Sequence, residues 1–343
     1  MPAKILITGG TGFIGRVVTR VLADRGYSIR LLLRPARRIT RLPVRQAEAV
    51  VASFRDEGGI RAAVSGIDAV IHLASAEGER RRRDLFAVDV EGTRMLLAQA
   101  RAAGVKRFLY LSHLGADRGS AYPFLQAKGI AEHDIVESGI PSLILRSSLV
   151  YGAGDSFTNA IAFFARLFPA LVFLPDMDTH LQPLWVEDLA ACLEYCLAED
   201  RYFGEVLSVG GPEHLAFERI VEQVLDVIRA PRMIVRIWPP LARFGLSALE
   251  WILPHSPFTP IWMDYLSVPS TCEANSLSRL FGLKPAALRE TIGYLGRGRG
   301  MGGFLRYVLR GRGSLQGGKA GAPLLRRQPG DRERTGVGEQ QHF

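Results

Sequence analysis

"KILITGGTGFIG", residues 4–15, decides the fold of this chain. The apolar run KILIT passes without a spacer into a glycine-rich turn, and the turn opens the amphipathic stretch FIGRVVTRVLADRG, residues 13–26. A short run with no polar face is the signature of a strand buried on both sides of a parallel sheet. Within TGGTGFIG, Gly10, Gly12 and Gly15 satisfy G-x-G-x-x-G, and Gly9 adds a further small residue. The turn needs backbone freedom, a pyrophosphate must approach the backbone closely, and the helix must pack on the strand. Unpaired N–H groups at the helix start then face the phosphates. The strand–turn–helix context makes this short motif specific. Thr8, Gly9, Gly10, Thr11, Gly12, Phe13, Ile14 and Gly15 are therefore the expected phosphate-binding residues.

The same alternation continues outward. SIRLLL (28–33), AEAVVAS (47–53), DAVIHLAS (68–75), KRFLYLS (106–112) and SLILRSS (142–148) read as strands. Between them GGIRAAVSG (58–66), DVEGTRMLLAQARAAG (89–104) and AKGIAEHDIVESG (127–139) read as helices. Right-handed crossovers between such strands give an α/β, Rossmann-type doubly wound parallel sheet. We expect this dinucleotide-binding domain over residues 1–155, with strands near 180–210 returning to it. Residues 156–293, where the regularity fades into aromatic and proline-broken segments, read as a smaller mixed cap over the strand ends. Residues 294–343, rich in Gly and Arg, read as a disordered tail.

Composition excludes several classes. The chain has 343 residues, 48% hydrophobic and 22% charged, which is ordinary for a globular protein. Its net charge of +9 gathers in RPARRITRLPVR (34–45), ERRRRD (79–84) and the tail, with no interleaved aromatic stacking pattern, so nucleic acid is not an expected partner. MPAKILITGG lacks the pattern of a secretory signal. The most apolar run, AIAFFARLFPALVFLP, is shorter than a membrane span and is interrupted by Arg166 and Pro169, so no transmembrane segment is expected. Cys192, Cys196 and Cys272 make no zinc or redox pattern and read as thiols of a reducing compartment. A cytoplasmic protein is expected, with the inner face of the plasma membrane as a peripheral alternative.

The second strand indicates the nucleotide. About 20 residues past the last glycine an NAD site carries Asp or Glu for the ribose 2′-OH. Here LLLRPARR offers Arg34, Arg37 and Arg38 and no carboxylate. Guanidinium suits a 2′-phosphate, so NADP(H) is favoured, with NAD(H) as the alternative.

TGGTGFIG, DAVIHLAS, DVEGT, VKRFLYLS, AKGIAE, LRSSLVYGAGDSF and QPLWVEDLA occur in the order seen in extended and atypical short-chain dehydrogenases/reductases. Over about residues 4–292 the chain most resembles the branch containing the nucleotide-binding accessory subunit of respiratory complex I, and it is also similar to sugar-nucleotide epimerases/dehydratases. The resemblance implies further nucleotide contacts from Leu73, Ala74, Ser53, Phe54 and Ser112. It also implies a partner in a respiratory complex or at a membrane surface.

That family places a Ser/Thr after the fifth strand and Tyr-x-x-x-Lys on the next helix. The tyrosine exchanges a proton with the substrate, the lysine lowers its pKa and grips the nicotinamide ribose, and the serine orients the carbonyl. In SAYPFLQAKG, residues 120–129, Lys128 matches the lysine but Phe124 stands at the tyrosine position. The serine position falls on His113, directly after Ser112. Tyr122 lies two residues from the matching place, about 200° around a helix unless Pro123 starts that helix after it. His113 and Tyr122 are the candidate substitute acids beside Lys128. Asp89 stands where the family usually has Asn, and Ser53 where it often has Asp at the adenine. The expectation is a nucleotide site kept for binding and relaxed in catalysis. An active NADP-dependent oxidoreductase or epimerase/dehydratase with a non-standard donor is the alternative.

Overall fold

The computed structural model describes residues 3–35, 42–77, 82–167, 171–175, 179–252 and 266–296. Its centre is β1 (Lys4–Thr8), whose side chains alternate between two apolar layers. Ile5 and Ile7 point into one core with Val18, Leu22, Leu31, Leu109 and Leu189, while Leu6 points into the other with Ile60, Val70, Leu96 and Phe108. Burial on both faces is why Ile5, Leu6 and Ile7, the run between Lys4 and Thr8, are all apolar.

Seven parallel strands form the sheet in the order β11 (Val206–Val209), β6 (Ser142–Ser147), β5 (Arg107–His113), β4 (Ala69–His72), β1, β2 (Ser28–Leu33) and β3 (Glu48–Val51). Helices α1 (Phe13–Asp24) and α7 (Val186–Ala198) cover one face. Helices α2 (Glu57–Val64), α4 (Gly92–Ala102) and α5 (Pro123–Glu137) cover the other. This is the Rossmann-like α/β architecture. From β1 the chain builds outward through β2 and β3, then returns to place β4 on the other side of β1. Thr8 and His72, the last residues of β1 and β4, are register partners at that reversal, where open α/β sheets bind ligands.

Two local features differ from the helices read in the sequence. The helix expected from Asp89 begins earlier, as α3 (Arg82–Phe86), and reaches α4 through a π-turn, Ala87–Glu91. The wider turn leaves Asp89 and Val90 both buried. The helix expected from Ala127 starts at Pro123, because a proline fits the first helical position, where no N–H bond is required. Gly129 in that helix is obligatory: a Cβ there would lie 2.4 Å from the backbone of Asp117 and Arg118.

Beyond β6 the chain leaves the main sheet except at β11. Paired two-stranded elements are β7 (Val150–Tyr151) with β10 (Leu184–Trp185), β8 (Leu171–Pro175) with β13 (Met233–Ile237), and β9 (His180–Leu181) with β12 (Leu215–Ala216). Helices α6 (Phe157–Leu167), α8 (Phe217–Val227) and α9 (Pro239–Ile252) join them. Phe124, Tyr151, Phe157, Trp185, Ile220 and Leu288 form the apolar core here. The motifs in this half are structural staples. Asp155 of YGAGDSF accepts from the backbone N–H of Gly152 (2.9 Å) and Thr158 (2.6 Å) and from the Tyr294 hydroxyl (3.0 Å). Buried Gln182 of QPLWVEDLA donates to the Gly211 carbonyl (2.7 Å) and accepts from the Cys272 N–H (2.7 Å). Cys192 and Cys196 are buried free thiols on α7. No helix among the described residues is long and apolar enough to cross a membrane. The tail from residue 297, with its FLRYVLR patch, lies outside the described residues, as do residues 253–265.

Asp188, in the first turn of α7, is buried and accepts from the Ala286 N–H at 2.8 Å. Burial pushes its carboxyl up to about 7, Ala286 opposing and Glu187 adding. An unfolded Asp titrates near ~4. Between those values the folded chain keeps a proton that the unfolded chain has released, so Asp188 makes stability fall as pH rises through that window. Asp188→Asn carries no such cost. Thermal melts should show its Tm gaining on the parent from about pH 4 to 7, with the gap constant above.

Candidate functional site

The glycine turn closes by a bond from the Gly12 N–H to the Gly9 carbonyl, 2.9 Å. Gly9 has φ +71°, and a Cβ on it would lie 2.7 Å from Ala74 N and from the Leu73 carbonyl carbon. Leu73 and Ala74 are thus brought directly against the turn. At Gly15 a Cβ would lie 2.2 Å from the Gly9 carbonyl oxygen, so the close seating of α1 on the turn admits only glycine. Thr11, Phe13 and Ile14 are half-buried around it, and Gly10 is buried against Leu31. Gly12 is exposed at the N-cap of α1, with no side-chain cap and no acidic residue in the first turn. The first N–H groups of α1 are therefore open to an anion.

On the β2–β3 side, Arg34 is exposed just past the end of β2, and Ser53 is half-buried after β3. Arg37 and Arg38 lie outside the described residues. Phe54 turns its ring inward, edge-on to His72 at 5.8 Å and closely against Gly92, so it packs α4 onto the sheet.

His72 joins the two halves of the site. Its Nε2 lies 2.9 Å from Thr93 Oγ1, whose hydroxyl donates to the Asp89 carbonyl at 2.7 Å. With the Thr93 proton committed, His72 Nε2 must be the donor and Nδ1 the acceptor. Thr8 Oγ1, 2.6 Å away, therefore donates to Nδ1 and itself accepts from the Ala74 N–H at 3.3 Å. Burial drives the imidazole down to about 3, with the Lys128 charge adding, so the ring is neutral and this tautomer is fixed. One directed chain of hydrogen bonds thus runs from the phosphate turn to the π-turn.

Lys128 sits beyond that chain, 5% exposed. Its Nζ lies 3.2 Å from Asp89 Oδ1, 3.5 Å from the Leu111 carbonyl and 4.9 Å from the Tyr110 ring centre. Asp89 Oδ2 is fixed by the Ala76 N–H at 2.8 Å. Burial opposes the ammonium charge, but Tyr110 and Asp89 outweigh it and hold the pKa above its usual value. Tyr110 is itself pushed up to about 12, mainly by burial, so at neutral pH it is a neutral phenol and Asp89 is the counter-charge. Phe124 is buried, its ring centre 5.7 Å from Lys128 Nζ and 5.7 Å from the His113 ring. His113 Nδ1 donates to the Leu114 carbonyl at 2.5 Å. Burial lowers its pKa to about 4, against the Leu114 bond and helped by Lys128, which leaves Nε2 as an acceptor at pH 7. Tyr122 is the N-cap of α5, outside the helix, with its ring packed against the apolar core. Ser112, at the end of β5, is buried, and its Oγ has no hydrogen-bond partner among the described residues.

A dinucleotide fits these groups. The uncapped α1 terminus and the glycine cradle suit a pyrophosphate, while Ser112 Oγ and Lys128 offer polar contacts farther along the strand ends. The family model that matches, over residues 9–155, is described as NAD(P)H-binding. Residues 9–155 thus resemble an NAD(P)H-binding domain.

The chain has relatives of two kinds. It is 26% identical over 259 residues to NADH dehydrogenase [ubiquinone] 1 alpha subcomplex subunit 9 of Arabidopsis thaliana, covering 74% of this chain and 64% of that protein. About a third of that relative lies outside the match. It is 26% identical over 328 residues to 2-alkyl-3-oxoalkanoate reductase of Stenotrophomonas maltophilia, covering 81% of this chain and 98% of that protein. UDP-glucose 4-epimerase of Thermotoga maritima shares the fold, with TM-score 0.66 and 19% identity over 86% of this chain and 97% of that one. The resemblance to epimerase/dehydratase-like short-chain dehydrogenases/reductases and to the complex I subunit therefore holds.

The structure thus gathers Thr8, Gly9, Leu73 and Ala74 at one end of the site and Ser112, His113, Phe124 and Lys128 at the other. Asp89, His72, Thr93 and Tyr110 complete it but carry no sequence signal of their own. The one available hint was Asp in place of Asn in DVEGT.

Proposed function

We propose that the chain binds NADP(H) across the carboxyl ends of β1, β4 and β5, is weak or inactive in catalysis, and is of the complex I accessory-subunit type. The observation that carries this reading is the pairing of a fully buried Lys128 with Phe124 at the proton-donor position. A nicotinamide nucleotide supplies hydride transfer when bound. The chain's own residues divide the remaining work: the Gly9–Gly15 turn and α1 hold the pyrophosphate, Arg34 meets the 2′-phosphate, and Lys128 and Ser112 take the nicotinamide ribose. Phe124 has no proton to exchange, and His113 at about pKa 4 carries no spare proton at pH 7. A respiratory-complex or membrane-surface partner belongs to the same reading.

Nucleotide exchange on the purified protein tests it. Tight, slowly exchanging NADPH without consumption is expected, and sustained oxidation of NADPH by a carbonyl substrate would overturn it. A ligand at 100 times its Kd also adds about 2.7 kcal/mol of stability. For the choice of nucleotide, Arg34→Ala should weaken NADPH by about 10- to 100-fold, the worth of a charge-assisted bond, and leave NADH unchanged. Titration with both nucleotides reads the difference.

One observation favours a second reading, an active reductase. The match to the 2-alkyl-3-oxoalkanoate reductase spans nearly all of that enzyme. In that case His113 or Tyr122, or water, handles the proton. Loss of turnover in His113→Ala or Tyr122→Phe would name the donor.

A further inference from the structure

Asp89 is a carboxylate placed 3.2 Å from the buried ammonium of Lys128 and pinned there by the Ala76 N–H. The π-turn makes this possible, because its extra width turns Asp89 inward while Thr93 still reaches the Asp89 carbonyl. The other ionisable groups around Lys128 do not share its charge. His72 and His113 are neutral, Tyr110 is protonated, and Glu132 on the next turn of α5 is held by Arg146, with Nε to Oε1 at 3.0 Å. Arg34 and the Gly turn lie toward β2 and β1, so a dinucleotide with its adenosine there must set its nicotinamide half over β4 and β5, beside Lys128.

A nicotinamide ring is cationic when oxidised and neutral when reduced. An uncompensated buried ammonium beside it disfavours the oxidised form, and a second, opposite charge at contact distance cancels most of that field. We infer that Asp89 is the residue that sets the redox preference of the nucleotide site, by neutralising Lys128 so that NADP⁺ and NADPH are both held. It is a positioning and charge-balancing residue, and the inference rests on the nucleotide reading above.

The test is equilibrium titration of the full chain and of Asp89→Asn with NADP⁺ and with NADPH. Asn keeps the shape and can still accept from Ala76. The ratio of Kd for NADP⁺ to Kd for NADPH should rise about tenfold in the variant, equivalent to a bound couple about 30 mV more positive. Lys128→Met, titrated at a pH high enough to ionise its unpaired Asp89, should move the ratio the opposite way, whatever it does to both affinities. An unchanged ratio, or equal weakening of both forms in Asp89→Asn, would overturn the inference and leave Asp89 a packing partner. If the parent chain binds neither nucleotide, the proposed function falls first, and the inference with it.

Discussion

Gly12→Asp should abolish tight nucleotide binding while leaving the stability of the nucleotide-free protein nearly unchanged. Gly12 is exposed at the N-cap of α1 with φ −70°, a backbone any residue adopts, and a Cβ there meets only the Gly9 carbonyl at 3.1 Å. The side chain fits once the Gly9 carbonyl gives by a few tenths of an ångström. An Asp at an N-cap accepts from the N–H groups of the first turn, but glycine is itself a fair N-cap, so the gain over Gly12 is only about a few tenths of a kcal/mol. Those same N–H groups are the ones a pyrophosphate needs, and a carboxylate among them repels its charge by several kcal/mol. A loss of about a hundredfold or more in NADPH affinity follows at 1.4 kcal/mol per tenfold. Calorimetric titration and a melt of the same sample check both, a lost affinity beside a nearly unchanged nucleotide-free Tm. Gly15→Ala is the contrasting case: its Cβ would collide with the Gly9 carbonyl at 2.2 Å, so it should lose stability and binding together.

Lys128→Met should cost about 3–5 kcal/mol of stability, the penalty for leaving one member of a buried ion pair unpaired. Methionine matches the stem of the lysine, so cavity formation contributes little, and the cost falls on Asp89, 1% exposed and without its counter-charge. A buried lone carboxyl raises its pKa. The folded variant then keeps a proton that the unfolded chain releases, and its deficit should deepen as pH rises above about 4. Denaturant unfolding at pH 5 and pH 8 reads this slope. Adding Asp89→Asn to Lys128→Met should recover most of the loss, because removing both charges removes the desolvation cost. A deficit independent of pH, or no recovery in the double variant, would mean that the pair is not the source.

Asp89 also explains why the site differs from what SAYPFLQAKG alone suggests. In the sequence, Lys128 looks like a lysine waiting for a tyrosine. In the fold it already has a partner 39 positions earlier in the chain, while Phe124 fills the place beside it with a ring that packs against His113. The spacing of four between Phe124 and Lys128 says that both lie on one face of a helix; it says nothing about what α3, the π-turn and β5 bring to that face.

The chain's local chemistry settled its architecture. The ends of β1 and β2 fall where KILIT and SIRLLL end, because each strand carries an apolar run, residues 5–7 and 31–33, and Gly9 or Arg34 follows the strand. The glycine turn was equally legible from its strand–turn–helix context, although the steric demand at Gly9 comes from Leu73 and Ala74, far along the chain. The start of α5 was misplaced by four residues although Pro123 marks it, and the π-turn has no periodic signature at all. What only the tertiary structure decided is everything that depends on residues distant in sequence: the reversal that sets Thr8 beside His72, the hydrogen-bond chain through Thr93, and the ion pair of Asp89 with Lys128. Hydrophobic periodicity records which face of an element is buried, and it carries no record of which polar groups that burial will force together.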